Sequence, residues 1–323
     1  MAISRMIRSI SAAVAAMGLL LGSAWAQSYP SGTVKLVVGY GPGGGNDIVA
    51  RILAEDLSKL WNQPVVVENK PGANGSIAST HVARSAPDGH TLLVTPPTTL
   101  MIDALWRPGQ SIDPDKDLKA LSGLASTPFV LTVNARSSIK NVQELVALAK
   151  QKNGELNYGW GNPGMRIATE LISRAAGVKM FPVGYKSAGQ SVPALIGGEI
   201  ELLVIDSGPV AGLVKAGKVK ALAVTTPSRS SVMPEVPTLR EGGIDFDWTG
   251  FIALYGPPNL PAAVQAKIQS DVAMVLNRPE IRSRLSGAGL DPSSLAQKEL
   301  DQYLKNVNKR ITAVMNAPGF SIE

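Results

Sequence analysis

Val34-Lys35-Leu36-Val37-Val38-Gly39-Tyr40-Gly41-Pro42-Gly43-Gly44-Gly45-Asn46-Asp47-Ile48-Val49 decides how this chain is read. Its first five residues are a short, β-branched run that stops at glycine, the signature of a buried strand. Beyond the glycines, Ile48, Val49, Ile52, Leu53, Leu57 and Leu60 keep a 3.6-residue spacing, with Arg51, Glu55, Asp56 and Lys59 on the opposite face. A helix follows the loop. Strand, glycine loop and helix in that order leave backbone N–H groups free at the positive end of a helix dipole, and glycine lets an anion approach them closely. The geometry serves phosphate, dinucleotide and carboxylate alike, and it also serves a plain turn that packs a helix on a strand.

Working outward, Val65-Val66-Val67 reads as a second strand, a helix is expected over about Ser76 to Ser85, and Thr91-Leu92-Leu93-Val94 reads as a third strand. Thr95 to Asp117, with Pro96, Pro97, Pro108 and Pro114, reads as irregular. Phe129 to Val133 restarts the alternation. Asn141 followed by Glu144 predicts a capping box for a helix over 142–150. Strands are expected near Leu156–Tyr158, Lys179–Pro182, Leu202–Ile205, Val219–Val224 and Phe246–Tyr255, with helices after Pro261. Such alternation predicts an α/β fold of mostly parallel sheets flanked by helices. Two similar units joined by two extended crossings predict two lobes around a hinge, with the ligand cleft between them.

At the N-terminus, Arg5 and Arg8 precede an uncharged run from Ile10 to Leu21, and Ala24-Trp25-Ala26 has the form read by signal peptidase. Residues 1–26 therefore read as a secretory signal cut before Gln27, which sends the mature chain to the periplasm. Cysteine is absent, so disulfides and thiolate metal sites are excluded and burial alone must hold the fold. The formal charge of +6 falls once Arg5 and Arg8 leave. With no basic run and few aromatic residues, nucleic acid has no footprint.

Rival readings of the loop fail on its own residues. A dinucleotide fingerprint needs a third glycine at position 46, which is Asn46, and a phosphate loop needs a lysine and hydroxyl where Asn46-Asp47-Ile48 stands. His81 and His90 have no acid and nucleophile near them, and no G-x-S-x-G elbow occurs. Asp113-Pro114-Asp115-Lys116-Asp117 imitates a calcium loop, yet Leu118 and Leu124 stand where glycine and a bidentate acid belong. No cofactor and no metal is implied. Asp47 reads first as a residue that satisfies backbone donors at the helix start, and alternatively as a contact to a ligand hydroxyl, water or amine.

The mature chain as a whole resembles the substrate-binding proteins of tripartite tricarboxylate transporters, the Bug family. The likeness runs through Tyr29-Pro30-Ser31, Gly41 to Arg51, Gln63 to Ala73, Ala86 to Leu93, Leu156-Asn157-Tyr158, Pro182 to Lys186, Lys215 to Thr225 and Pro234 to Thr238. It implies a two-lobed periplasmic solute-binding protein and no enzyme: residues 27–126 plus 252–323 form one lobe and 127–251 the other. The lobes would close over a small carboxylate and deliver it to one large and one small membrane subunit. A monomer suits a protein that must hinge. Carried over position by position, the resemblance places Tyr40, Gly41, Gly43, Gly44 and Asp47 at the ligand from the first loop, and Thr95, Thr98 and Thr99 after the third strand. From the second lobe it places Gly161, Asn162 and Gly164, then Tyr185 and Lys186, then Asp206. A sensor that presents a carboxylate to a membrane receptor would use the same cleft, and an exported enzyme acting on a carboxylate is a more remote alternative.

Three departures from the family pattern bear on ligand choice: Pro96-Pro97, Trp160, and Pro163-Gly164-Met165-Arg166. Arg166 would pair with a second carboxylate, while Trp160, Met165 and Tyr40 would line an apolar slot, suiting a ligand with an apolar or aromatic body. Alternatively, Arg166 faces solvent and Met165 is core packing.

Overall fold

The strand that heads the decisive stretch, β1 (Val34–Val38), pairs in parallel with β2 (Val65–Asn69) on one side and β3 (Thr91–Thr95) on the other. The structure is a computed structural model and describes residues 29–185, 187–292, 295–318 and 320. Residues 1–26, expected to be a secretory signal, and Lys186 lie outside the described residues. Val34, Leu36, Val37 and Val38 are fully buried, because helices α1 (Gly45–Trp61), α2 (Ser76–Ala83) and α3 (Pro97–Trp106) cover the strands. Helix α3 lies inside the segment expected to be irregular. Its prolines are a start signal: Pro97 occupies the first turn, where a missing N–H costs nothing.

After a short helix α4 (Pro114–Asp117), the chain enters β4 (Lys119–Asn134), one continuous strand of 16 residues. Sequence reading starts this strand only at Phe129. Residues 119–128 hide it, because Ser122, Gly123, Ala125 and Ser126 are small and two register shifts break the alternation of faces. The second half continues through α5 (Val142–Lys152), β5 (Asn157–Trp160), α6 (Pro163–Ala175), β6 (Phe181–Gly184), α7 (Ala188–Gly197), β7 (Leu202–Asp206), α8 (Ser207–Lys215) and β8 (Val219–Val224). Strand β9 (Thr249–Gly256) returns to the first half, followed by α9 (Ala262–Leu276), α10 (Pro279–Gly287) and α11 (Gln297–Met315). As expected, the Asn141 side chain accepts the Glu144 N–H at 2.8 Å and caps α5.

The strands form one curled mixed sheet in the order β2-β1-β3-β9-β4-β7-β5-β6, with β8 beside β4. Each half holds three parallel strands, as expected of βαβ crossings, and the strands that pass between halves add antiparallel pairs to them. Strands β8 and β9 run in the same direction, each antiparallel to β4 and each along a different part of it. Leu36, Leu53, Leu57, Ile268 and Val272 centre one core, and Leu131, Leu145, Tyr158, Ile172 and Leu203 centre another. Helix α11 serves both halves. Leu300 packs with Val37, Leu93 and Tyr255, whereas Val307, Ile311 and Val314 join the core of the second half.

The two crossings lie side by side, with Ser126, Thr127 and Pro128 opposite Phe251, Gly250 and Thr249. Thr225 ties them: its hydroxyl accepts the Phe129 N–H and donates to the Trp248 carbonyl, and its backbone bonds both residues as well. Glycine is required at 250, where a Cβ would sit 2.8 Å from the Thr127 carbonyl.

Candidate ligand cleft

Strand register determines where a ligand can sit. In the first half β3 runs the same way as β4, since both are antiparallel to β9, so β3 points its C-terminal end toward the crossing. In the second half β7 is antiparallel to β4, with Asp206 opposite Phe129 and Leu202 opposite Val133. The C-terminal ends of β7 and of its parallel neighbours β5 and β6 therefore point back at the first half. Two sets of strand ends, with their helix N-termini, face each other across the crossings. This is where open α/β sheets bind ligands.

From the first half, the loop Gly41 to Gly44 is exposed and leads into α1. Asp47 is 2 % exposed and its carboxylate is filled: Oδ2 accepts the Gly43 N–H at 2.9 Å and the Arg51 Nε–H at 2.8 Å, and Oδ1 accepts from the Asn69 amide at 3.0 Å. These donors outweigh the cost of burial and hold the Asp47 pKa down at about 2. Asp47 thus braces the loop, and the Gly43 N–H is spent on it. The cap position of α1 is Gly44, which has no side-chain oxygen, so the N–H groups of Gly45, Asn46 and Asp47 keep the orphan status of any first turn. Nothing of the protein lies within 4 Å of where a Cβ would stand on Gly41 or Gly43, and Gly44 is almost as open. Among the described residues the loop is therefore open beside Gly41, Gly43 and Gly44, whereas a Cβ on Gly45 would meet Leu290 at 3.4 Å.

Tyr40 stands behind the loop, with its hydroxyl 2.8 Å from the Thr99 hydroxyl. Thr95 also bonds it, but burial dominates and pushes its pKa up to about 12, so it stays neutral. Gly75 packs by the same ring. Thr95 and Thr99 are buried, and Thr98 is half-buried at the start of α3. Asn69 was missed in the sequence. It ends β2 and donates to both the Tyr40 carbonyl and Asp47; its sequence signal is an amide at the end of the strand beside the glycine loop.

The second half offers fewer donors. Asn162 turns its own Oδ1 back to the Met165 N–H at 3.0 Å, its carbonyl takes the Arg166 N–H, and Pro163 has no N–H, so Gly164 holds the remaining first-turn donor of α6. Trp160 and Gly161 are half-buried at the end of β5, and the Tyr185 N–H is bonded to the Trp160 carbonyl with its ring beside Gly159. Arg166 does not face solvent, the second of its two readings. It is 7 % exposed and bonds the Tyr158 hydroxyl and Glu170, with its guanidinium 4.9 Å from the Phe320 ring centre. The side chain lies back along α6, one turn beyond the end that faces the first half, because the lobe interior supplies it with an acid and two rings. Met165 is fully buried core, so neither residue lines an open slot. Asp206 ends β7 and its charge reaches Tyr40 across the boundary between halves. Burial raises its pKa to about 6.

A family model described as "Tripartite tricarboxylate transporter family receptor" matches residues 49–320. The chain belongs to this family. Among its relatives, a Cupriavidus necator protein of the UPF0065 group is 34 % identical, covering 97 % of this chain and 96 % of its own. The solved structure of MatC from Rhodopseudomonas palustris with bound malate is 28 % identical, covers 89 % of this chain and all of its own, and superposes with a TM-score of 0.75. A second R. palustris protein, solved with adipate, is 25 % identical over 88 % of this chain and 97 % of its own, with a TM-score of 0.77. Family and fold of the tripartite tricarboxylate receptors are those of solute-binding proteins. Among the described residues no helix is long and apolar enough to cross a membrane.

Proposed function

We propose that this chain is an exported, periplasmic solute-binding protein that captures a small carboxylate on the N-terminus of α1. Its lobes, 27–126 plus 252–323 and 127–251, close over the ligand about the paired crossings, and the closed form delivers it to the large and small membrane subunits of a tripartite tricarboxylate-type transporter. One observation carries this reading: a helix N-terminus without a side-chain cap, entered through an open glycine loop, faces a second set of strand ends across the paired crossings. Malate and adipate in the two R. palustris structures support the ligand class. Hydrogen bonds from backbone N–H groups to a carboxylate contribute about 1.5–3 kcal/mol each, and closure strengthens them by excluding water. Ligand shifts the open-closed equilibrium by the extra contacts it makes in the closed form.

The test is calorimetric titration of the mature protein with mono-, di- and tricarboxylates, malate and adipate among them, beside the variant Gly44→Leu. Gly44 has an ordinary extended backbone and space for a side chain, so the variant folds and its leucine fills the anion site. Binding of at least one carboxylate to the wild type, lost in Gly44→Leu, is the expected result. A folded Gly44→Leu that retains full affinity would remove the loop from the reading.

A further inference from the structure

Three consecutive residues touch both halves of the molecule. Leu290 is buried in the core of the first half, and its Cδ2 stands 3.4 Å from where a Cβ on Gly45 would lie. Gly45 is the first residue of α1, so Leu290 packs against the start of that helix. The turn that carries it is fixed to the same half. The N–H groups of Gly289 and Leu290 go to the Ser286 and Leu285 carbonyls at 3.0 and 3.1 Å, closing α10. Helix α10 is in turn clamped to α1 by Arg278 on Asp56 at 3.0 Å and Arg284 on Glu55 at 2.9 Å. From there the turn reaches the second half twice. The Gly289 carbonyl accepts the Ser207 hydroxyl at 2.9 Å, and the Asp291 carboxylate accepts the Ser230 hydroxyl at 2.8 Å and the Ser231 N–H at 3.1 Å. Ser207 is 1 % exposed and opens α8. Gly289 has φ of 80°, and a Cβ on it would stand 3.1 Å from the Gly208 Cα, so this close approach favours glycine.

The start of α1 and the start of α8 are therefore joined through one turn. Leu290 sits behind the first, and the Gly289 carbonyl holds the second. Densely packed side chains pass on a displacement that a loose contact would absorb. A shift of α8 moves the turn, and Leu290 carries that shift to Gly45, one of the first-turn residues whose N–H groups face the proposed anion. The link is distinct from the paired crossings, which it meets only where Asp291 and Ser126 exchange backbone hydrogen bonds at 3.0 Å. Resting on the proposed capture of a carboxylate by α1, we infer that Leu290 is a positioning residue of that site, and that the turn Gly289-Leu290-Asp291 couples the anion loop to the second half through Ser207.

Two readouts test this, amide exchange of the ligand-free mature protein and calorimetric titration with malate and adipate. Ser207→Ala removes one hydroxyl from the second half, yet exchange should quicken in 41–48 of the first. Leu290→Ala should weaken carboxylate binding about tenfold, the effect of one misplaced hydrogen bond to a charged group, and Leu290→Met should recover it to within about threefold. The control is Leu260→Ala. Leu260 and Leu290 are each 4 % exposed in the same core, but Leu260 packs beside Gly256 at the end of β9 away from the crossings. It should cost comparable stability in urea and leave affinity within about threefold of wild type. Losses from Leu290→Ala and Ser207→Ala should fall short of adding in the double variant, because both act through one turn. The exchange readout on Ser207→Ala decides the matter even where Leu290→Ala does not fold. Wild-type exchange in 41–48 of Ser207→Ala, or a Leu290→Ala that binds no worse than Leu260→Ala, reduces Leu290 to core packing and overturns the inference while carboxylate capture stands. Failure of every carboxylate in the calorimetric panel to bind wild type overturns the proposed function and this inference with it.

Discussion

The Oδ2 atom of Asp47 accepts the N–H of Gly43, four residues earlier, at 2.9 Å. The helix that follows the glycine loop therefore shapes the loop. Gly43 is in the left-handed region, with φ of 85°, and its N–H would otherwise compete for the anion. Spending that donor on Asp47 leaves the first turn of α1 as the proposed anion site.

Replacing Asp47 by asparagine should destabilise the protein by roughly 1–2 kcal/mol at neutral pH. The folded pKa lies below the ordinary value, so the stability it contributes is present above about pH 4 and is lost as pH falls toward 2. Urea unfolding between pH 2.5 and pH 7 should show a steeper acid loss in wild type than in Asp47→Asn.

Asp206 should behave in the opposite sense. Its folded pKa of about 6 is above the ordinary carboxylate value, so the folded state holds the proton more tightly and the ligand-free protein loses stability as pH rises through that interval. Asp206→Asn should melt higher than wild type at pH 8, with the difference shrinking by pH 5. Equal melting profiles at both pH values would contradict the raised pKa of Asp206.

Arg166→Met should separate stability from binding. The variant loses the contacts to Tyr158 and Phe320 while Glu170 keeps Arg174 at 3.2 Å. A cost of about 1–3 kcal/mol in urea unfolding is expected, with carboxylate affinity unchanged within about threefold, well below one lost charge-assisted hydrogen bond. A tenfold fall in affinity would return Arg166 to the ligand.

Gly250→Ala should damage the crossing. The added Cβ meets the Thr127 carbonyl at 2.8 Å, together with the Thr127 hydroxyl, and a backbone atom can yield only by moving the paired strand. A loss of about 2 kcal/mol or more is expected, measured against Gly208→Ala, where a Cβ meets nothing.

Much of this was legible in the sequence because local chemistry and global fold agree there. Val34 to Val38, the glycines after it, and the cap at Asn141 each have one cheap local solution, and the structure adopts it. Lys119 to Pro128 was illegible because its strand identity comes from pairing with β9, with small residues where the two passes crowd. Pro96-Pro97 punctuates either a loop or a helix start, and only the end of β3 behind it decides. The direction of Arg166 depends on Tyr158 and on Phe320, far along the chain. For the same reason α11 gave no sign of serving both halves: its apolar face is continuous, and what it covers is set by tertiary contact.

The central claim is that one ligand is held between the two halves. Amide hydrogen exchange of the mature protein, with and without a saturating carboxylate chosen from the calorimetric panel, tests it most directly. Slowed exchange is expected together in 41–48 of the first half and in 160–166 and 206–210 of the second. Protection confined to one half, or absent from 41–48, would contradict the account.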